Sequence, residues 1–462
     1  MLPDDVLLAI FDFCAGEDQY TKKGIEAWWQ TLVHVRRRWR TVVFGSPRRL
    51  NLRLFCASET LARELDVWPA LPLVIRDTYS VITTGVDNIV AVLEHSNRVY
   101  RIELLGLASS SLETVLAEMQ VPFPELTCLR FASTHDTAVV PDSFLGGSAP
   151  LLRHFFLSHV PFPGLPKLLL SATHLNSLDI QDIPHSGYFS PETLLTALSV
   201  FPRLALLSLG FQSPRSCPDQ AGRRPPSGKR TNLPVLASLL FKGASEYLDD
   251  LLASIDAPRL GNLFIRFFND IVFDTRQLAQ FISRTPTLKS LEKAHVTFDN
   301  HAARVRLSSQ TSDYRGLVVD ILCSGLDWQV SSLEQVCTSS LRPLSTLEDL
   351  YIYNLIPPWQ DDIRRVQDNI ENTLWLELLH SFTAVKNLYL CEERARSIEP
   401  ALQELVGART TEVLPSLQNI FLEGLQPSGP TQEGIRQFVT MRQLISHPIA
   451  VSCWDIDRKT FF

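Results

Sequence analysis

One string, Pro-x-Leu-x-x-Φ-x-Φ with Φ apolar, recurs along most of this 462-residue chain and restricts the folds open to it. It reads PELTCLRF from Pro124, PLLRHFFL from Pro150, PRLALLSL from Pro202 and PVLASLLF from Pro234. It continues as PRLGNLFI from Pro258, a degenerate PTLKSLEK from Pro286 and PSLQNIFL from Pro415. Variants without the proline begin at Val99, His174, Thr346 and Ala384. The first leucines, from Leu126 through Leu152, Leu175, Leu204, Leu236 and Leu260 to Leu288, stand 23 to 32 residues apart. Apolar residues at alternate positions specify a short strand with one face turned inward. Between the strings lie segments with leucines at three- and four-residue steps, such as SSLETVLAEMQ, PETLLTALSVF and EYLDDLLASI, which read as helices. Many end just before the next proline, which stops a helix and sets an extended entry to a strand. A strand–helix unit of this length cannot bury its apolar face alone, so neighbours must stack. The expected fold class is α/β, with parallel short strands alternating with helices in an irregular solenoid. An ordinary sheet of strand–helix units is the competing arrangement, which the near-constant spacing of one string disfavours.

The spacing resembles that of leucine-rich repeats with insertions. One departure is plain. The Asn or Cys that such repeats carry three residues after the second strand leucine is replaced by Leu107, Val160, Ile183, Leu355 and Leu425. Without an asparagine ladder the coils are expected to stack less regularly. Residues 299–345 follow the repeat least well, and DYRGLVVDIL within them reads as one degenerate coil. Residues 212–232 hold five cations against Asp219 among Pro, Ser and Gly, and read as a flexible insertion. A localisation signal or phosphosite is the sharper reading of the same stretch.

Ahead of the repeats stand MLPDDVLLAIFDFC and AWWQTLVHVRRRWRTVVF, an amphipathic helix pair too small to hold a good core alone. Pro3 suits a first helical turn, where Asp4 and Asp5 complement the dipole. Val6, Leu7, Ile10 and Phe11 form an apolar stripe, and Trp29, Leu32, Val33, Trp39 and Val43 share a face of the second run. Leu2, Pro3, Asp5, Val6, Leu7, Ile10 and Phe11, then Val35, Arg37, Trp39 and Arg40, resemble the two halves of an F-box. Arg36 stands where the family usually has Cys, and the intervening stretch is longer than common. The resemblance implies docking on a Skp-type adaptor through Leu2, Pro3, Val6, Leu7, Ile10, Phe11 and Val35, with Trp39 anchoring the last helix, and through that adaptor on a cullin ligase. A helix-in-groove contact of this kind draws most of its affinity from a few apolar anchors. Residues 36–53 hold seven arginines and no acid, yet no aromatic platform accompanies them, so nucleic acid is not the expected partner.

Residues 54–98 read as a connector with a strand at Leu73-Val74-Ile75. Its DVWPALPLVI wording is similar to that of the expanded F-box families of mushroom-forming fungi. The expected organisation is a helical F-box module over 1–53, a connector over 54–98, and a leucine-rich-repeat-like solenoid over 99–462 with the insertion at 212–232. Outward strand residues, for example Arg130, Asp179, Arg266 and Tyr351, are the candidates for holding a protein substrate on the concave strand face.

The remaining chemistry is largely exclusion. Hydrophobic residues make up 45% and charged residues 20%, a core-forming composition, and the net charge of −7 does not suit a polyanion binder. Eight scattered cysteines show no metal-ligand spacing, so neither a metal nor another cofactor is expected. GRRPPSGKRT fails as a P-loop, LGGSAPL lacks the second glycine of a nucleophile elbow, and Asp455-Ile456-Asp457 is a lone tail motif. No catalytic residue is expected. The N-terminus carries no basic stretch before an apolar run, and no apolar run approaches a membrane span, which predicts a cytoplasmic or nuclear protein rather than a secreted or membrane one. The expected function is the substrate-recognition subunit of an SCF-type ubiquitin ligase. A leucine-rich-repeat scaffold unconnected to any ligase, with the helical head as an N-terminal cap, is the alternative. Covering of the stripe by the chain's own repeats favours the cap; exposure favours docking.

Overall fold

A computed structural model describes residues 2–14, 28–56, 65, 69–78, 85–133, 138–214, 230–268, 275–289, 291–309, 312–355, 371–405, 407–423 and 430–454. It divides into two compact units, Met1–Leu204 and Ala205–Phe462.

The first unit opens with helices α1 (Asp4–Cys14), α2 (Trp28–Val35) and α3 (Arg37–Gly45). Strands β1 (Leu54–Cys56) and β2 (Leu73–Thr78) follow, then α4 (Val86–Leu93), β3 (Val99–Leu107) and α5 (Ser109–Glu118). The unit is completed by β4 (Cys128–Ser133), β5 (His154–Ser158), α6 (Leu165–Leu169), β6 (Ser177–Ile183) and α7 (Pro191–Leu198). Strands β1 to β6 pair in parallel in chain order. The sheet therefore begins at Leu54, inside the segment read from sequence as a connector, because β1 and β2 extend the same ladder that the repeats build. Leu129, Phe155 and Leu178 fall in one register row, and all are buried. Such a row removes a continuous apolar surface from water, each side chain contributing about 1.5–3 kcal/mol. The start of α7 is written locally: Pro191 takes the first position, and the Ser190 hydroxyl accepts a hydrogen bond from the Thr193 amide at 3.3 Å.

The second unit contains β7 (Leu206–Phe211), β8 (Thr231–Asn232), β9 (Ser238–Gly243), α8 (Ser245–Ala253), β10 (Ile255–Asp256), β11 (Asn262–Phe267) and α9 (Arg276–Arg284). Then come β12 (Lys293–Phe298), β13 (Ala302–Ser309), β14 (Ser312–Leu322), α10 (Leu326–Ser340) and β15 (Asp349–Asn354). The last elements are α11 (Asn372–His380), β16 (Asn387–Leu390), α12 (Glu392–Gln403), β17 (Asn419–Glu423), α13 (Pro430–Leu444) and β18 (Ala450–Trp454). Its main sheet runs β7-β9-β11-β14-β13-β12-β15-β16-β17-β18, and β8 and β10 pair separately. The repeated first leucines, including Leu236, Leu260, Leu288 and Leu347, are all buried.

Among the described strands of this sheet, strict parallel pairing fails around one strand. Strand β13 is antiparallel to both β12 and β14, so a three-strand meander stands inside an otherwise parallel ladder. The cause is the short connection after β12, where the Asp299 carboxylate accepts hydrogen bonds from the His301 and Ala302 amides, both at 2.7 Å. A turn this tight can only reverse the chain. The stretch read as a degenerate coil is β14, which does pair in parallel with β11 and lead into a helix; β12 follows the Pro286 string and pairs in parallel with β15, so the extra element is β13.

The missing asparagines are offset by the main chain. The Thr127 carbonyl accepts the amides of Arg153 and His154, and the Arg153 carbonyl those of Asn176 and Ser177. The same arrangement recurs in the second unit at Ala237, which accepts Gly261 and Asn262, at Glu348, which accepts Lys386 and Asn387, and at Lys386, which accepts Gln418 and Asn419. A carbonyl has two lone pairs, so one residue per coil ties the next coil without any special side chain. The coils are thus tied without those asparagines, while the register still slips between Leu73 and Val74 on β2 and between Leu105 and Leu107 on β3. The proposed insertion lies mostly outside the described residues, which resume at Arg230.

Candidate functional site

The helical head separates the expected stripe into two faces. Leu7 and Phe11, anticipated as docking residues, point inward and are 4% and 1% exposed. Phe11 meets the half-buried Trp39 edge-on at 5.1 Å, which ties α1 to α3. Trp29 packs edge-on against Phe44 at 5.8 Å, and its indole nitrogen donates to the Arg53 carbonyl at 3.0 Å. Arg38 fixes the start of α1 by pairing with Asp4 at 2.5 Å and donating to the Leu2 carbonyl at 2.5 Å. What remains outside is Leu2, Val6, Ile10 and Phe13, at four- and three-residue steps along one helical stripe, with Ile10 44% and Phe13 88% exposed. Pro3 and Val35 are exposed as well. Phe13 was missed because sequence reading followed the wider stripe that includes Leu7 and Phe11; the four-residue steps from Leu2 through Val6 to Ile10 lead to it at the next three-residue step.

On the first unit's strands, the face away from the leucines carries a charged row. Arg76, Glu103, Arg130, Phe156 and Asp179 occupy one register position on β2 to β6. Glu103 is 1% exposed and shared by three guanidiniums: Arg76 at 2.7 Å, Arg101 at 2.6 Å and Arg130 at 3.8 Å. Burial disfavours its charge, but the hydrogen bonds and charges of Arg101 and Arg76 outweigh burial and hold the carboxyl below its ordinary pKa range. Arg130 also lies over the Phe156 ring at 5.0 Å. Asp179 accepts a hydrogen bond from Gln181 at 2.8 Å.

The second unit repeats the device with different residues. Asp320 is fully buried and paired with Arg266 at 2.7 Å and with Arg304, whose Nη2 donates to it at 2.9 Å. These residues share a row across β11, β14 and β13. One step along, His295, Tyr351, Tyr389 and Phe421 occupy a row across β12, β15, β16 and β17, stacked at 4.5, 4.1 and 4.5 Å between ring centres. Trp454 leans on Tyr351 and Tyr389. Beside the rings, Asn419 donates to Asn387 at 2.8 Å and Asn387 to Asp349 at 2.7 Å. The four strand candidates, Arg130, Asp179, Arg266 and Tyr351, thus fall into a charged row, a buried ion pair and an aromatic stack. Glu103, Arg76, Asp320 and Arg304 were missed. Alternation places each of them outward, but their pairing joins strands up to 54 residues apart.

Burial raises the Cys56 thiol to about 12 and the Cys323 thiol to about 11, and also raises Cys128 and Cys391, whereas Cys453 is exposed. In the folded protein at mild alkaline pH, maleimide labelling read by peptide mass spectrometry is expected to modify Cys453 well before those four. Comparable labelling of all of them would refute the packing described. Among the described residues no three His, Cys, Asp or Glu side chains form a metal-sized cluster, and no helix is long and apolar enough to cross a membrane.

No protein-family model matches the chain, and no curated protein matches it. Among solved structures it is similar to the leucine-rich repeat-containing protein LegL7 from Legionella pneumophila, at 12% identity and a TM-score of 0.28, over 84% of this chain and 97% of that one.

Proposed function

We propose that this chain is a non-catalytic substrate receptor of an SCF-type ubiquitin ligase, working in cytoplasm or nucleus. The head docks on a Skp-type adaptor, and through it on a cullin ligase, while the strand faces hold a target protein. The receptor makes no bond itself; it raises the concentration of the target's lysines near the conjugating machinery. The observation that carries the reading is the uncovered stripe of Leu2, Val6, Ile10 and Phe13, held rigid from behind by Leu7, Phe11 and Trp39. A cap closing the repeats would turn that stripe inward. The second reading, a repeat scaffold outside any ligase, draws on the ordered charged and aromatic rows, which serve a bound protein whether or not a ligase is attached.

A pull-down with recombinant adaptor separates them. Wild type is expected to retain the adaptor. The Val6→Asp/Ile10→Asp pair, whose sites are already solvent-facing, is expected to lose binding by about thirtyfold or more, as for interface hot spots worth about 2 kcal/mol or more. Unchanged thermal melting shows that the variant is folded. Equal recovery of adaptor by both proteins, or none by wild type, rejects the receptor reading and leaves the scaffold.

A further inference from the structure

The outward row of the first unit has a charge order of its own. Strands β2 to β4 bring Arg76, Arg101 and Arg130 around one buried carboxylate, Glu103. Arg76 and Arg130 alone outnumber that carboxylate in charge. Arg130, 40% exposed, is only loosely engaged by it at 3.8 Å. Burial and then the charges of Arg101, Arg153 and Arg130 lower the basicity of His154, one row position away, so the guanidinium field reaches across β5 as well. The patch is positive although the chain as a whole is acidic. Next along the row comes the half-buried ring of Phe156, and then the carboxylate of Asp179. The row therefore reads cation, aromatic, anion.

The geometry points to an extended segment of a partner protein lying across β2 to β6, with an acidic side chain at Arg76, Arg101 and Arg130, an apolar one on Phe156 and a basic one at Asp179. Arg130 and Asp179 are two strands apart, about 10 Å at the usual strand spacing, and a chain extended in the polyproline conformation advances about 3.1 Å per residue and returns to the same face every third one. The acid and the base of the segment are then about three positions apart. Anionic oxygens of a carboxylate or of a phosphorylated serine meet the same guanidinium forks. The inference deepens the receptor reading and rests on it in taking the occupant to be a protein.

The test is fluorescence anisotropy with the full chain in low-salt buffer, using a labelled Gly-Ser-Glu-Glu-Leu-Ser-Lys-Gly peptide. Saturable binding is expected, with about tenfold or greater loss when both acids of the probe become glutamine and a similar loss with Arg130→Glu in the protein. Asp179→Lys is expected to weaken this probe and to strengthen one ending in glutamate at the lysine position, a swap that a misfolded variant cannot reproduce. A phosphoserine probe that binds more tightly identifies phosphate as the anion; one that binds no more tightly identifies carboxylate, and the site stands in either case. Absence of saturable binding, or equal affinity for the glutamine probe, overturns the proposal. Arg130→Glu is expected to retain the adaptor as wild type does, so failure here and failure of the docking reading are separate results.

Discussion

Adding a single methyl group at Gly316 is expected to destabilise the protein by about 3 kcal/mol, at the upper end of what backbone strain alone costs. Gly316 lies in β14 between β11 and β13 with φ +152°, and a Cβ there would meet the Leu307 carbonyl oxygen at 2.0 Å. That distance is shorter than any non-bonded carbon–oxygen contact, so one of the strands must move. Neither moves cheaply. Leu307 and Leu317 are paired in register and both fully buried, and the Gly316 amide already donates to the Gly261 carbonyl at 3.0 Å. Shifting β13 away from β14 opens one of the two antiparallel seams of the meander and gives up its hydrogen bonds. Gly261→Ala is the internal control, because a Cβ there meets its nearest neighbour at 3.7 Å, ordinary contact. Urea unfolding should leave Gly261→Ala within about 1 kcal/mol of wild type, and on the stable side if its backbone fits, since alanine loses less chain entropy on folding. Equal midpoints for the two variants would show that the meander is not built as described.

Much of this architecture could be read from residue spacing. Leu126, Leu152, Leu175, Leu204, Leu236, Leu260 and Leu288 were picked out by their interval alone, and each is wholly buried at the entry to its strand. Alternation gave the facing of Arg130, Asp179, Arg266 and Tyr351. The meander was not legible, because β12 to β14 show the same alternation as a parallel strand; what reverses the chain is one Asp299 carboxylate capping two amides. Nor was the partnership of Glu103 with Arg76 or of Asp320 with Arg266, since an ion pair between coils depends on register, which spacing does not give. In the head, period alone placed Leu7 and Phe11 with Val6 and Ile10. Only the position of Trp39 decides which half of so broad a stripe is turned inside.

Glu103→Gln is expected to cost about 2 kcal/mol at neutral pH and progressively less as the solution is acidified. Removing one member of a buried ion pair typically costs about 3–5 kcal/mol, because the partner charge is stranded. Here the figure is reduced because the guanidiniums of Arg76, Arg101 and Arg130 retain some contact with water, which screens them. The pH dependence follows from the direction of the shift. The folded-state carboxyl titrates below the ordinary 4.5, so folding favours its ionised form. Its contribution is complete above the unfolded-state pKa and is lost as pH falls through the lower, folded-state one. Glutamine cannot titrate, so the gap between wild-type and variant urea midpoints should be constant from pH 7 down to about 5 and close below about 4.5. A gap that persists undiminished to pH 3 would mean that Glu103 contributes shape and hydrogen bonds but not charge. The same substitution leaves three guanidiniums without their shared carboxylate, so an anionic peptide should bind the variant at least as tightly as wild type at neutral pH. Loss of stability together with undiminished peptide binding would separate the role of Glu103, which is to offset the charge of three clustered guanidiniums in the fold, from that of the arginines, which is to hold the anion.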